Sequence, residues 1–186
     1  MRTEWIVIAV VAVVGLYAIV VFNRLIRGRN LVREGWSGID VQLRRRSDLI
    51  PNLVEIVKTY AAHERNLFNE IVEKRNAAIN AADVAGKAAA EQQLQGSLHR
   101  LFAVAEAYPD LKANQNFLAL QTQIAELEDQ LQMARRYYNG TVRDYNIGIQ
   151  SFPDVLIARL TGFHEEHFFQ AEAEASVNPS INFPGK

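Results

Sequence analysis

Two histidines and two glutamates stand together near the end of the chain, as His164-Glu165-Glu166-His167. Residues three apart share a face of a helix, so the imidazoles of His164 and His167 would be neighbours and could hold zinc or iron. The nearby sequence specifies no third ligand, and carboxylate-rich helices are commonly just exposed to water. The sequence therefore predicts no metal site, with His164 and His167 as the foremost candidates if a metal binds.

Three consecutive arginines, Arg44, Arg45 and Arg46, could bind a phosphate or a lipid headgroup. Successive residues of a helix point in different directions, so the three do not form one pocket. Arg46 falls on an apolar stripe between Leu43 and Ile50, where a charge needs a partner or must reach solvent. We expect a structural ion pair for Arg46.

The sequence shows no recognisable catalytic arrangement. There is no cysteine, which excludes a thiol nucleophile and thiolate metal ligands. No serine or threonine has a recognisable activating base, no carboxylate pair is placed across a cleft, and no glycine-rich phosphate loop is present. Asp48, Asn52, Asn114 and Asn116 lie near predicted helix breaks and favour helix caps. We expect a protein that is not an enzyme and has no catalytic residues, cofactor or metal.

An uncharged apolar run extends from Trp5 to Phe22. At a rise of 1.5 Å per residue, this run would span roughly 27 Å as a helix, close to the thickness of the hydrocarbon core. A cleaved signal peptide would need a small-x-small site after the run, and Asn23-Arg24-Leu25 offers none. We therefore expect a single-pass transmembrane helix from Trp5 to Phe22.

Basic residues follow this run, and we expect Arg24, Arg27 and Arg29 to contact lipid headgroups. An excess of arginine after the helix favours a cytoplasmic over an extracytoplasmic domain. Four arginines against one glutamate give the first thirty residues a charge of +3, so the net charge of -1 leaves -4 on the remainder. A nucleic-acid-binding domain would instead carry a basic face. The expected partner is the lipid bilayer, and no nucleic acid.

Apolar residues beyond the run follow a helical 3–4 spacing, and glycine and proline are sparse. One stripe runs to about Ala77, a second helix ends before Tyr108-Pro109, and a third extends to about Gln150. A short helix is expected from about Asp154 to Leu160, closed by Gly162. We predict an all-α fold with an N-terminal transmembrane helix, an antiparallel bundle of three long helices and a short C-terminal helix. The near-heptad spacing permits coiled-coil packing.

Two details of the first helix depend on proline and glycine. Pro51 lacks a backbone donor and predicts a kink near Ser47 to Ile50, or a new helix with Pro51 in its first turn and Ser47 or Asp48 as its cap. Only Gly28 and Gly35 interrupt the segment after the apolar run. We therefore expect the membrane helix to continue into the first bundle helix without a linker.

An ordered series of motifs lies between residues 31 and 183. The motifs are Trp36-Ser37, Ile39-Asp40-Val41-Gln42-Leu43, Arg45-Arg46-Ser47-Asp48-Leu49-Ile50-Pro51-Asn52-Leu53-Val54, Tyr60-Ala61-Ala62-His63-Glu64, Ala107-Tyr108-Pro109-Asp110-Leu111-Lys112-Ala113-Asn114, Ala134-Arg135-Arg136-Tyr137-Tyr138-Asn139, Phe152-Pro153 and Gly162-Phe163. Together these motifs resemble the LemA family. The resemblance implies a bacterial protein with an N-terminal anchor and a helical-bundle domain, and the family has no settled biochemical activity. Some relatives carry a lipoprotein-type signal, whose cysteine this chain lacks.

These features divide the chain into a transmembrane and basic segment (1–30), a LemA-like helical domain (31–162) and a partly extended tail (163–186). We expect a non-enzymatic scaffold or adaptor in the bacterial inner membrane that binds other proteins and associates with itself. One alternative is a metal- or ligand-binding protein that uses His164 and His167. Another alternative is a membrane-remodelling protein.

Overall fold

The computed structural model describes residues 2–169, which form an all-helical structure as predicted. The helices are α1 (Arg2–Tyr60), α2 (Arg65–Asn80), α3 (Val84–Ala105), α4 (Pro109–Lys112), α5 (Gln115–Gln150) and α6 (Asp154–Leu160). The described residues form two compact units. The anchor unit contains residues 2–49 and 121–168, and the hairpin unit contains residues 50–120 with Phe169.

Helix α1 joins the apolar run to the following residues without a linker, as predicted. Pro51 lies inside this helix, so the alternative in which it begins a new helix is wrong. Ser47, Asp48 and Asn52 are all helical and do not cap a helix end. Since proline removes one backbone donor, α1 continues at the cost of a single hydrogen bond there.

The first apolar stripe does not form one helix to Ala77, and that prediction is wrong. The backbone N–H of Glu64 donates to the carbonyl oxygen of Ala61 (3.1 Å), three residues back, in a tight turn. Helix α2 then begins at Arg65. No glycine or proline lies in residues 61–64. The helical spacing of apolar residues therefore continues across this turn, and no helix-breaking residue marks it.

Helices α2 and α3 pack against each other in the hairpin unit. The turn between them ends at Asp83, whose carboxylate accepts a hydrogen bond from the backbone N–H of Gly86 (2.6 Å) and caps α3. Farther along the pair, the carboxylate of Glu70 on α2 forms an ion pair with Arg100 of α3 and accepts a hydrogen bond from the Ser97 hydroxyl (3.1 Å). Side-chain contacts therefore join the two helices at positions distant from their turn.

Helix α5 begins where the sequence indicated a break. The side chain of Asn114 caps it, because its Oδ1 accepts hydrogen bonds from the backbone N–H groups of Asn116 (2.9 Å) and Phe117 (3.1 Å). The Asn114 amide also donates to the Tyr60 hydroxyl at the end of α1 (3.1 Å). The cap predicted for Asn114 is confirmed, and this residue also contacts the last residue of α1 within the hairpin unit.

The Glu70 carboxylate has a strongly lowered pKa. Hydrogen bonds from Lys74, and then from Arg100 and Ser97, lower the pKa to about 2 from its usual 4.5, against an opposing effect of burial. A carboxyl whose pKa is lower in the folded state stabilises the fold above its unfolded pKa, and this contribution disappears as the pH falls through the folded pKa. The stabilisation by Glu70 is therefore complete at neutral pH and is lost between about pH 4.5 and pH 2.

Glu70→Gln is expected to reduce the acid sensitivity of the protein in this pH window, because the uncharged amide has no proton to take up. The measurement is the urea midpoint in detergent at several pH values. The control is Glu73→Gln on the same helix, where the side chain is exposed. If both variants keep the acid sensitivity of the native protein, the attribution to Glu70 is wrong.

Helix α1 and helix α5 lie antiparallel and very close in the anchor unit. A Cβ atom added at Gly28 would lie 3.2 Å from Cδ2 of Tyr145, and one added at Gly35 would lie 3.1 Å from Cα of Tyr138. Glycine at these two positions therefore allows the helices to approach until a tyrosine of α5 covers the backbone of α1. The ring of Trp36 lies beside that of Tyr138, with 5.8 Å between centroids.

Candidate functional site

The apolar run at the start of α1 is exposed on all sides over most of its length. From Trp5 to Leu16 the large apolar side chains are 56% to 71% exposed. Helix α1 is long and apolar enough in this region to cross a membrane. A helix that is apolar all round needs an apolar environment on every side, which protein contacts do not provide for these residues.

The last part of the run, from Tyr17 onward, packs against protein on one side, which the sequence did not indicate. The Tyr17 hydroxyl donates a hydrogen bond to Oδ1 of Asp154 (2.7 Å). Val21 is buried, and the ring of Phe22 meets that of Phe163 edge-on, with 5.7 Å between centroids. The predicted span from Trp5 to Phe22 therefore has two parts. Residues 5–16 form a bare part, meaning that protein does not cover their side chains. The rest packs on one side against other residues of the anchor unit.

Asp154 is the polar centre of this packing. It lies at the start of α6, is only 3% exposed, and forms an ion pair with Arg24 in addition to the hydrogen bond from Tyr17. A buried carboxylate is stable only where hydrogen bonds and an opposite charge compensate for its lost hydration. The contacts of Asp154 thus fix α6 beside residues 17–24 of α1.

The three arginines predicted to contact lipid headgroups differ in their surroundings. Arg27 is exposed, and the side chain of Arg24 remains 63% exposed despite its ion pair with Asp154. The guanidinium of Arg29 lies over the ring of Phe163, 5.0 Å from the centroid. Arg24 and Arg27 are therefore accessible at the end of the apolar run, and their contact with headgroups stays a prediction.

Residues 163–168, which we call the C-terminal strap, leave α6 and bond to α5. Gly162 has a φ of +74° and ends α6, as predicted. The Asn146 side chain donates to the carbonyl oxygen of Glu166 and accepts from its backbone N–H, both at 2.9 Å. The Tyr138 hydroxyl donates to the carbonyl oxygen of His167 (2.7 Å). Side chains of α5 thus hold the strap by its backbone.

The helical-face argument for His164 and His167 does not hold in this structure, because both belong to the non-helical strap. Both side chains are exposed. Within residues 2–169, no group of three or more histidine and acidic side chains is close enough to hold one metal ion.

The tyrosine that holds the strap is kept protonated. Burial, and then the negative charge of Glu166, raise the pKa of Tyr138 to about 12. The same two causes, opposed by Arg29, raise the pKa of Tyr145. A tyrosine pKa that is raised in the folded state stabilises the fold below the unfolded value and loses this effect as the pH rises through the folded value. Tyr138 therefore donates its hydrogen bond throughout the physiological range.

Asn146→Leu is expected to loosen the C-terminal strap. Leucine has a similar size, but it can neither donate to the carbonyl oxygen of Glu166 nor accept from its backbone N–H. We expect a loss of about 1–3 kcal/mol in the free energy of unfolding, because each of the two hydrogen bonds contributes about 0.5–1.5 kcal/mol. Hydrogen exchange at the Glu166 amide is the measurement, with Gln130→Leu at an exposed position of the same helix for comparison. Unchanged protection of this amide in Asn146→Leu would contradict the assignment.

The ion pair expected for Arg46 is confirmed. Arg46 is 2% exposed, and its Nη1 lies 2.8 Å from Oε2 of Glu128 on α5. A second guanidinium, that of Arg135, lies 3.9 Å from the other carboxylate oxygen of Glu128. This cluster links α1 and α5 in the anchor unit and has a structural role.

A small cleft between α1 and α5 lies next to the Asp154 contacts. Its volume is about 170 Å³, and its lining includes Arg24, Thr141, Asp144 and Tyr145. Small-molecule sites usually enclose roughly 300–1,000 Å³. This cleft is therefore too small for a typical metabolite.

Comparison with known proteins gives consistent matches. A model of the LemA family matches residues 35–183. Magnetosome protein MamQ 2 of Paramagnetospirillum magneticum is 28% identical over 203 residues, covering 94% of this chain and 74% of that protein. Protein LemA of Metamycoplasma hominis is 27% identical over 154 residues, covering 80% of this chain and 68% of that protein. The family match includes both Gly35 on α1 and Tyr138 on α5, where the two helices lie in close contact.

Proposed function

The chain belongs to the LemA family, and we propose that it is a non-enzymatic scaffold or adaptor anchored in the bacterial inner membrane by one transmembrane helix. The observation that carries this proposal is the bare apolar surface of α1 from Trp5 to Leu16. Water would make such a surface aggregate, whereas a bilayer accepts it. The relatives are named after a cell structure or a family, and their names state no catalysed reaction.

The polar contacts between elements of the anchor unit support a scaffold more than a catalyst. Arg46 pairs with Glu128, Asp154 pairs with Arg24, and Asn146 holds the strap. Each of these groups positions one element against another. The proposed function therefore assigns binding to outer surfaces such as the exposed apolar side chains of Met133 and Tyr137, which are four residues apart on α5.

The proposed orientation places the domain in the cytoplasm. Arg24 and Arg27 follow the apolar run and are exposed, and cytoplasmic flanks of membrane helices are enriched in arginine and lysine. Only Arg2 lies before the run, beside Glu4. A cysteine placed at residue 63, in an otherwise cysteine-free chain, should be protected from a membrane-impermeant thiol reagent in intact cells.

The scaffold proposal is tested by cross-linking in membranes of cells that express the full chain. A photoreactive phenylalanine analogue at Tyr137 is expected to capture a second copy or a partner that mass spectrometry identifies. The matched control carries the analogue at Glu126, an exposed position on the same helix. Alkaline carbonate washing of the same membranes is expected to leave the protein in the pellet.

Two results would overturn the proposal. One is release of the protein by carbonate, which would exclude the transmembrane anchor. The other is a strict monomer at all concentrations in detergent, together with no cross-link from any exposed position of α5, which would exclude a scaffold.

A further inference from the structure

Helix α6 is amphipathic, but it buries a polar residue and exposes apolar ones, the reverse of a surface helix in water. Its buried positions are Asp154 and Ala158, whereas Leu156 and Leu160 are 55% and 87% exposed. Residues two apart on a helix are separated by roughly 200°, so the leucines project from the face opposite to the buried carboxylate. The polar group points into the protein and the apolar groups point outward.

The exposed apolar surface continues beyond α6. Phe152, in the turn before the helix, is 82% exposed, and Ile147 near the end of α5 is 55% exposed. Single exposed apolar residues are common on soluble proteins, but a contiguous group of large ones marks a contact surface. We call the group formed by Phe152, Leu156 and Leu160 the apolar edge.

The position of α6 relative to the apolar run indicates what covers this edge. Asp154 contacts both Tyr17 and Arg24, which are seven residues apart and therefore separated by roughly 10 Å along the axis of α1. The run ends between them, at Phe22. Since α6 lies beside the end of the membrane helix, it is placed at the level where the hydrocarbon core meets the headgroups.

The charged residues near α6 are also consistent with a position at the boundary between the hydrocarbon core and the headgroups. Arg159 is exposed on the helix, and Arg24 and Arg27 are accessible on α1. Arginine beside an apolar surface can keep its stem among acyl chains while its guanidinium reaches the phosphates. An apolar edge flanked by arginines is typical of segments that lie in the membrane interface.

From this geometry we propose that the segment 152–160 is a second membrane-contacting element, which inserts Phe152, Leu156 and Leu160 into the leaflet from which α1 emerges. The proposal depends on the transmembrane anchor of the proposed function. It adds that the protein contacts the bilayer at two places: α1 spans it, and the segment 152–160 lies in its interface. The buried contacts of Asp154 with Tyr17 and Arg24 fix the distance between the two.

Depth-dependent fluorescence quenching tests the proposal. The chain has no cysteine, so Leu156→Cys and Leu160→Cys each carry a single environment-sensitive nitrobenzoxadiazole label on the full chain. Each protein is reconstituted in vesicles of phosphatidylcholine and phosphatidylglycerol that contain lipids spin-labelled near the headgroup or deep in the acyl chain. Val13→Cys in the bare run is the control for membrane burial, and Glu126→Cys, exposed on α5, is the control for water.

We expect labels at 156 and 160 to lose most of their emission to the shallow quencher and less to the deep one. The label at 13 should be quenched by the deep lipid, and the label at 126 should be quenched by neither. Labels at 156 and 160 that behave like the label at 126, while the label at 13 is quenched, would overturn the interfacial element and leave the anchor intact. An unquenched label at 13 would overturn both.

A second copy of the chain is the other possible occupant of the apolar edge. In that case Leu156→Cys would form disulfide-linked dimers in the membrane, and a label at this position would be shielded from both lipid quenchers. This result would also overturn the proposal, because protein rather than lipid would cover the edge.

Discussion

Glu128→Gln is expected to lower the free energy of unfolding by about 2–4 kcal/mol, because it removes the ion pair between Glu128 and the buried guanidinium of Arg46. The guanidinium of Arg46 is almost fully buried and lies 2.8 Å from Glu128. The Glu128 side chain is 27% exposed, so its own desolvation is partial and the loss stays below that of a fully buried pair. Urea unfolding in detergent, followed by tryptophan fluorescence, measures the change.

A double-mutant cycle separates the pair from its surroundings. Arg46→Met combined with Glu128→Gln removes both charges of the pair and is expected to recover part of the lost stability, with a coupling energy of about 1–3 kcal/mol. The control is the pair of Arg44 and Asp40 on one helix, which has the same 2.8 Å separation but an arginine that is 75% exposed. Its expected coupling is only about 0.3–0.5 kcal/mol. Equal coupling in the two pairs would show that burial of Arg46 is not the cause.

Gly35→Leu is expected to destabilise the anchor unit by about 1–3 kcal/mol, because a side chain there must push α1 away from α5. Even the first added carbon would meet a backbone atom, Cα of Tyr138, at 3.1 Å. The matched control is Gly38→Leu, three residues along the same helix, where an added Cβ meets nothing within 4 Å. Leucine at 38 is expected to stabilise the helix by up to about 1 kcal/mol, since glycine has a poor helix propensity.

The two leucine variants are compared by urea midpoint in the same detergent. Opposite signs at positions 35 and 38 are the expected outcome. A loss of similar size at both positions would indicate that the substitution acts through α1 itself, and the close approach to Tyr138 would then have no energetic role.

Helix type, most helix ends and the buried charge were predictable from the sequence because each has a local signal. Gly162 ends α6 and Asn114 caps α5, and both residue types have strong conformational preferences at such positions. Arg46 was recognisable because a charge interrupts an otherwise apolar stripe. These features depend on residues close to one another in the chain, and a single sequence contains that information.

The features that were missed depend on partners far along the chain. The turn at residues 61–64 contains no glycine or proline, so its local pattern resembles a continuous helix. Gly28 and Gly35 were interpreted as interruptions of a helix, although each of them packs against a tyrosine of α5. Asp154 looked like an ordinary residue at the start of a short helix, and only the structure brings it to Tyr17. Seven-residue spacing in both pairs, Gly28 with Gly35 and Tyr138 with Tyr145, was the available signal.

The contact between Tyr17 and Asp154 also has a consequence for biosynthesis. The two residues are 137 positions apart in sequence, so the ribosome has delivered the apolar run long before it makes α6. Because hydrophobic segments leave the ribosome in chain order and domains form only when all their parts exist, α1 is expected to enter the bilayer first. The anchor unit would then be completed at the membrane surface, with α5 and α6 docking onto a helix that is already inserted.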